Sequence, residues 1–331
     1  MTLLNIGLII LGIALVIWGA DRLTEGASSL ARNMHVPEIV IGLTIVAAGT
    51  SAPELFVSLV SALKGTPDLA VGNVVGSNIF NTMLIVGCAA VAAPIVISHS
   101  TVKKDIPFAI GASLLLFLLC LDGMDSAHLW GNEISRSDGL LLLAGFAAFM
   151  LYTFNEAEKK GGFDEVIAGA DDEEEGETAP KQSPKWKNVA WIIIGLACLI
   201  IGSNVFVDAA TYVAYRFGMR QSVVGLTIVA GGTSLPELAT SVVAARKGQS
   251  ALAIGNALGS NVFNILLILG LTAVIHPLRI MGINIIDLSV LLLSIVLLWM
   301  FAYTKYTVSR REGVLLILGF LGYMGWLFYL L

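Results

Sequence analysis

The sequence has little charge for its length. Only 13% of the 331 residues are Asp, Glu, Lys or Arg, whereas 56% are hydrophobic and the mean hydropathy is +0.85. A soluble domain carries about 25% charged residues, so the composition excludes a water-soluble globular protein and a disordered chain. Lys and Arg number 19 against 24 Asp and Glu, and the lack of a basic surplus excludes a nucleic-acid partner. We predict a membrane protein with several spans in contact with lipid.

Cysteine and histidine are also scarce. Cys88, Cys120 and Cys198 lie in apolar runs without paired spacing, which predicts a packing role rather than disulfides or a thiolate metal centre. The four histidines form no HExxH motif, and we find no pairing of a nucleophile with a base. The sequence therefore predicts no enzyme activity, no cofactor and no obligate protein partner.

Ten apolar runs are long enough to cross a bilayer. A helix needs about 20 mostly apolar residues to span roughly 30 Å of hydrocarbon. The predicted spans are 3–24, 37–62, 69–93, 106–121, 137–155, 189–212, 222–245, 252–275, 285–304 and 313–331. With ten spans, the loops on one side hold 14 of the 19 Lys and Arg residues. Positive loops favour the cytoplasm, so both termini are predicted outside the cell membrane and the long central loop inside.

The chain also contains an internal repeat. Gly42–Gly87 aligns without a gap on Gly225–Gly270 at an offset of 183, with 29 of 46 positions identical. Each half has five predicted spans, and this odd number makes the second half enter the membrane from the opposite side. The predicted fold is an all-α membrane protein of ten transmembrane helices in two inverted five-helix repeats, 1–155 and 188–331. An acidic, flexible cytoplasmic linker, 156–187, joins them. Many secondary transporters have this architecture, with a midplane site between broken helices.

Glu54 and Glu237 lie at equivalent repeat positions, far from the predicted interfaces. An acidic residue at the centre of a span costs about 2.5–3.5 kcal/mol, which marks both as functional candidates. Pro53 and Pro236 precede them, and a proline removes the helical hydrogen bond to the carbonyl four residues earlier. Broken helices are therefore predicted at both places. The carbonyl groups that lose their partners belong to Gly49 and Gly232.

Helical spacing places further oxygen ligands on the faces of the two glutamates. These residues are Ala47, Thr50 and Ser51, Ala230, Thr233 and Ser234, and, on the following spans, Asn73, Ser77 and Asn81 with Asn256, Ser260 and Asn264. Carboxylate, hydroxyl, amide and carbonyl oxygens without Cys or His suit hard cations. Two carboxylates can neutralise one Ca²⁺, and Na⁺ would have to share the same oxygens. Such competition is a physical basis for antiport.

These motifs resemble the cation/calcium antiporters typified by sodium/calcium exchangers, especially their prokaryotic members. The residues that carry the resemblance are GTSAPEL (49–55) and GNVVGSNIFN (72–81), repeated as GGTSLPEL (231–238) and GNALGSNVFN (255–264). The resemblance implies Ca²⁺ extrusion driven by Na⁺ entry, and alternating access in which spans 1 and 6 slide against the other eight.

The resemblance also implies a ligand set. Glu54 and Glu237 would be the central ligands, completed by Thr50, Ser51, Thr233, Ser234, Ser77, Asn81, Ser260 and the carbonyls of Ala47 and Ala230. Related exchangers commonly carry Asp where this chain has Asn264, so the site is limited to two carboxylates and the counter-ion stays open. H⁺/Ca²⁺ exchange, K⁺-dependent Na⁺/Ca²⁺ exchange and a Ca²⁺-permeable channel are the alternatives. Glu25 and Asp208, near the ends of spans 1 and 6, are candidates for interfacial caps or gate residues.

Overall fold

The computed structural model describes residues 2–121, 133–159, 184–218, 230–280 and 283–330. The helices of the first half are α1 (Thr2–Met34), α2 (Glu38–Ile41), α3 (Ala47–Thr50), α4 (Ala52–Leu63), α5 (Pro67–Ile79), α6 (Val86–Ala92), α7 (Ile106–Leu121) and α8 (Arg136–Lys159). Those of the second half are α9 (Lys185–Arg216), α10 (Ala230–Thr233), α11 (Leu235–Arg246), α12 (Ser250–Val262), α13 (Gly270–Ile275), α14 (Ile285–Lys305) and α15 (Arg310–Leu330).

Four π-helical segments join these helices within the described residues. They are π1 (Gly42–Val46), π2 (Phe80–Ile85), π3 (Thr101–Asp105) and π4 (Phe263–Leu269). A π-turn is wider than an α-turn, so it changes the face that the following side chains occupy, and it is frequent at functional sites. The sequence predicts none of the four.

The fold class is that of an all-α membrane protein, as predicted. Eight continuous apolar helices in the described ranges are long enough to cross a membrane, and one further span is a bent pair, Glu38–Thr50 with Ala52–Leu63. The predicted span 222–245 begins outside the described residues, so the count of ten remains a prediction.

Several helices are longer than predicted. α1 continues ten residues beyond the predicted end at residue 24, and α8 and α9 extend into the predicted linker. Both helices thus continue past the bilayer-length runs, and the linker bounds of 156–187 stay a prediction. Residues 160–183 of the linker lie outside the described ranges.

Two short antiparallel ladders connect the loops. β1 (Ile95–Val96) pairs with β4 (Thr307–Val308), and β2 (Glu133–Ile134) pairs with β3 (Leu278–Arg279). In a ten-span chain the first ladder joins the loops after spans 3 and 9, and the second joins those after spans 4 and 8. Each ladder thus joins loops of one membrane face, which agrees with the parity of the predicted spans.

α1 and α9 cross each other in antiparallel directions along a seam of glycines. A Cβ atom placed on Gly19 would lie 2.8 Å from the Gly195 carbonyl oxygen, and one on Gly12 would lie 2.8 Å from that of Gly202. Both distances are too short for any side chain, so only glycine lets the two backbones approach this closely. The two contacts exchange when the repeat offset of 183 is applied, because Gly12 corresponds to Gly195 and Gly19 to Gly202.

The centre of the molecule is formed by two equivalent spans. The helix Pro67–Ala92 (α5, π2 and α6) and the helix Ser250–Ile275 (α12, π4 and α13) are mostly buried, whereas α1, α8, α9 and α15 leave most of their apolar surface exposed. Exposed apolar helices at the periphery are what a bilayer solvates. The buried central spans hold the asparagines of the polar cluster described next.

Candidate cation site

Both halves contain a helix that breaks near the centre of the molecule. The first break is at Ser51, between α3 and α4, where the chain bends by 46°. The second is at Ser234, between α10 and α11. Each break lies two residues before a proline, Pro53 or Pro236, which occupies the first turn of the new helix. A proline has no N–H for the carbonyl one turn earlier and fits the start of a helix, which explains the position of the breaks.

The two glutamates follow the breaks directly. Glu54 lies in the first turn of α4 and Glu237 in the first turn of α11, and each is only 1% exposed. The first turn of a helix carries partial positive charge from its unpaired N–H groups. Both carboxylates therefore sit at favourable helix ends in spite of their burial.

Hydrogen bonds cross between the halves at the glutamates. The Ser51 hydroxyl donates to Glu237 Oε1 over 3.3 Å, and the Ser234 hydroxyl donates to Glu54 Oε1 over 3.3 Å. The two bonds are equivalent under the repeat. They bring the glutamates of both halves to one place.

Threonines adjoin the same groups. The Thr50 hydroxyl lies 3.1 Å from Asn256 Oδ1 and 3.4 Å from the Ala47 carbonyl oxygen. That carbonyl also accepts the Ser51 N–H over 2.9 Å. The Ala47 carbonyl thus accepts hydrogen bonds within the protein in this conformation, and its role as a cation ligand stays a prediction.

The corresponding threonine of the second half, Thr233, is the last residue of α10, directly before the break at Ser234. Its ligand role stays a prediction. Ala230 is the first residue of α10, and a ligand role for its carbonyl remains a prediction.

An asparagine on the following helix braces the backbone of each glutamate. In both halves its amide donates to the glutamate carbonyl oxygen and to a serine hydroxyl. The distances are 3.3 and 3.0 Å from Asn73 to Glu54 O and Ser58 Oγ, and 3.2 and 2.9 Å from Asn256 to Glu237 O and Ser241 Oγ.

The π-helical segments orient a second pair of amides. π2 and π4 begin one residue before Asn81 and Asn264, and both amides are 1% exposed. The Asn264 Nδ2 donates to Asn78 Oδ1 over 3.4 Å. The Oδ1 of Asn264 takes no part in this bond and has no partner among the described residues. The Asn81 side chain makes no hydrogen bond with any described residue.

Ten buried side-chain oxygens lack a hydrogen-bond partner among the described residues, and five of them belong to the predicted ligands. These five are Glu54 Oε2, Glu237 Oε2, Asn81 Oδ1, Ser260 Oγ and Asn264 Oδ1. Each such group costs about 1–3 kcal/mol when it stays unpaired, and here they belong to helices in mutual contact. The described ranges contain no group of three or more His, Cys, Asp or Glu side chains that could hold a metal ion. The open oxygens form instead a mixed set with two carboxylates, which suits a hard cation.

Three candidates from the sequence contribute less to this cluster. Ser77 is buried at 6% exposure, and its ligand role stays a prediction. Glu25 is exposed and pairs with Arg22 of its own helix over 2.7 Å, and Asp208 is exposed. Neither Glu25 nor Asp208 forms an ion pair with another helix in the described part of the chain, so the gate role also stays a prediction.

Sequence reasoning missed one polar pair in the centre. Asn78 accepts from Asn264, and its repeat equivalent Asn261 donates to Thr82 over 2.8 Å. The strict spacing of three and four residues excluded both asparagines from the predicted face. The signal that could have found them is their identity in the two GSN triplets at membrane depth.

An all-α membrane protein whose two halves enclose buried, open oxygen ligands has the design of a secondary ion transporter. The family profile described as "Sodium/calcium exchanger protein" matches residues 4–155 and 187–329. The chain belongs to this family of exchangers. The family consists of transporters, which confirms the prediction that the chain is not an enzyme, and it moves Na⁺ and Ca²⁺ as substrates rather than holding a cofactor.

Similar proteins cover the whole chain. The sodium/calcium exchanger MaX1 of Methanosarcina acetivorans is 31% identical over 100% of both chains. The inner membrane protein YrbG of Escherichia coli is 35% identical over 99% of this chain and 98% of its own. A solved structure of the sodium-calcium exchanger NCX_Mj, soaked without Na⁺ and Ca²⁺, matches with a TM-score of 0.82 and 27% identity over 99% of this chain and 100% of that one.

Proposed function

We propose that this protein exchanges Ca²⁺ for Na⁺ across the cell membrane as a secondary antiporter with one shared binding pocket. The observation that carries the proposal is the set of five buried oxygens without partners, contributed by both halves and including one oxygen of each glutamate. The similarity to MaX1 and NCX_Mj, which are sodium/calcium exchangers, supports the same pair of ions.

The pocket would bind either Ca²⁺ or Na⁺, and the two cations would compete for the same oxygens. Ca²⁺ takes 6–8 oxygens at about 2.3–2.6 Å, and the two carboxylates neutralise its charge. Na⁺ ions would use the same oxygens and so displace Ca²⁺. Beyond the open oxygens, the ligands we propose are Thr50, Ser51, Thr233, Ser234, Ser77 and the carbonyl groups of Ala47 and Ala230.

Access to the pocket would alternate by movement of α1 and α9 as a pair. The glycine seam holds these two helices together backbone to backbone, and their outer surfaces are exposed toward lipid. We further propose the plasma or inner membrane as the location, with both termini outside and the acidic linker in the cytoplasm. The excess of Lys and Arg in the loops on one side supports this orientation.

Flux into vesicles tests the function. The purified protein is reconstituted into liposomes loaded with Na⁺, K⁺ or acidic buffer, and radioactive calcium uptake is measured after dilution. We expect uptake only with the outward Na⁺ gradient. Uptake driven by K⁺ or H⁺ alone, or current without any counter-ion gradient, would replace Na⁺/Ca²⁺ exchange with one of the alternatives.

A further inference from the structure

Lys247, the residue after α11, contacts α1 through its whole ammonium group. Its Nζ lies 2.6 Å from Asp21 Oδ1, 2.9 Å from the Asp21 carbonyl oxygen and 3.1 Å from Thr24 Oγ1. An ammonium has three donors, so all of them find an acceptor on α1. Thr24 is fully buried, and its hydroxyl donates to the Asp21 carbonyl over 3.0 Å. We name Lys247, Asp21 and Thr24 the latch.

The latch is anchored to both long helices. Arg22 binds Asp21 Oδ2 over 3.0 Å. The guanidinium of Arg22 lies over the rings of Trp18 on α1 and Trp191 on α9, at 5.8 and 5.2 Å. Lys247 therefore ties α11, which carries Glu237, to the pair of α1 and α9 rather than to α1 alone.

The other half of the chain lacks the latch. The repeat equivalents of Asp21, Thr24 and Lys247 are Asn204, Val207 and Lys64. Lys64 follows α4 as Lys247 follows α11, so the lysine is repeated but its acidic partner is not. Lys64 is exposed and forms no ion pair with any described residue.

Helix packing shows the same difference between the halves as the latch contact does. α1 packs against α11, whereas their equivalents α9 and α4, both fully described, make no comparable contact. On α4, Phe56 is 70% exposed. α1 therefore covers α11 beside the latch, whereas α9 does not cover α4 in the same way.

We propose that the latch biases the transport cycle toward the conformation that is closed at α11 and open at α4. In the opposite conformation, α9 would close on α4, and Lys64 would meet Asn204 and Val207 instead of a carboxylate and a hydroxyl. An ion pair would then stabilise only one of the two conformations, and the duplicated chain would not be energetically symmetric. This inference rests on alternating access as given in the proposed function.

Hydrogen exchange of the purified full-length protein in nanodiscs tests the bias without any flux measurement. The exchange of residues 240–249 reports closure at α11, and that of residues 57–66 reports closure at α4. A half-exposed ion pair contributes up to about 1 kcal/mol, which corresponds to a change of at most roughly fivefold in the equilibrium. We expect Lys247→Gln and Asp21→Asn each to raise exchange at 240–249 by about two- to fivefold and to lower it at 57–66. The double variant should add little, because each change breaks the same contact.

Two further variants make the test specific. Arg246→Gln removes a neighbouring exposed charge that has no ion pair in the described chain, and it should leave exchange at both ends as in the wild type. Asn204→Asp supplies the missing carboxylate opposite Lys64 and should shift exchange in the reverse direction.

Wild-type exchange in both Lys247→Gln and Asp21→Asn would overturn the proposal, as would an equal effect of Arg246→Gln. Shifted exchange in a protein without Na⁺-driven flux would refute the proposed function alone, and normal flux with unchanged exchange would refute the latch alone.

Discussion

The Ser51 hydroxyl donates to the carboxylate of Glu237, 3.3 Å away in the other half of the chain. The reciprocal bond from Ser234 to Glu54 has the same length. In each carboxylate one oxygen is held by the opposite half, and the other has no partner among the described residues. The halves thus position each other's ligands, and neither half would form the pocket alone.

Removal of either carboxylate charge should abolish Ca²⁺ transport. Glu54→Gln and Glu237→Gln keep the side-chain shape but leave one negative charge for a doubly charged ion. A hydrogen bond or ligand contact to a charged group is worth about 1.5–3 kcal/mol, so we expect Ca²⁺ affinity to fall by at least roughly tenfold to a hundredfold. Radioactive calcium uptake measures the loss, with size-exclusion profiles to verify folding. Glu133→Gln, at an exposed ladder residue, is the matched control and should keep wild-type flux.

A carboxylate at position 264 should change the dependence on protons or Na⁺. Asn264 donates to Asn78 Oδ1, and an ionised Asp in its place loses that donor and adds a third negative charge beside the pocket. Protons would then compete with cations for the new group, so flux in Asn264→Asp should rise more steeply with pH than in the wild type. Na⁺-driven uptake across a pH series and a Na⁺ series measures the difference. Superimposable profiles would count against a place for residue 264 in the pocket.

The bracing asparagine of the second half should contribute to stability. Asn256 contacts Glu237, Ser241 and, through Oδ1, Thr50 of the other half. We expect Asn256→Ala to lower the free energy of unfolding by about 1–3 kcal/mol. Thermal unfolding in detergent measures the loss, with Glu133→Gln at an exposed ladder residue as the control. Wild-type unfolding of Asn256→Ala would argue against the contact from Thr50 as a link between the halves.

The glycine seam should not tolerate a methyl group. A Cβ on Gly19 would meet backbone atoms at 2.8 and 2.9 Å, whereas one on Gly7 of the same helix has nothing within 4 Å. Overpacking typically costs about 1–3 kcal/mol, so Gly19→Ala should lower the unfolding temperature while Gly7→Ala should not. Indistinguishable unfolding of the two variants would mean that α1 and α9 can separate without cost.

Local sequence patterns were sufficient for the all-α membrane fold and for the two buried glutamates beside helix breaks, because hydropathy, a repeat at a fixed offset and charge within apolar runs are readable without coordinates. The π-helical segments were not predictable, because Phe80–Ile85 and Phe263–Leu269 contain ordinary helix-compatible residues and their wider turns arise from tertiary packing. The two-residue strands are too short for a periodic signal. The latch escaped notice because Asp21 and Lys247 are far apart in the chain, and only the fold brings them together.

Calorimetric titration of Ca²⁺ into the purified protein at increasing Na⁺ concentrations tests the shared pocket most directly. We predict one competitive Ca²⁺ site whose apparent Kd rises with Na⁺, and a Ca²⁺ affinity at least roughly tenfold lower in both Glu54→Gln and Glu237→Gln. Calcium binding that ignores Na⁺, or that persists at wild-type affinity in one of these two variants, would contradict a single pocket built from both glutamates.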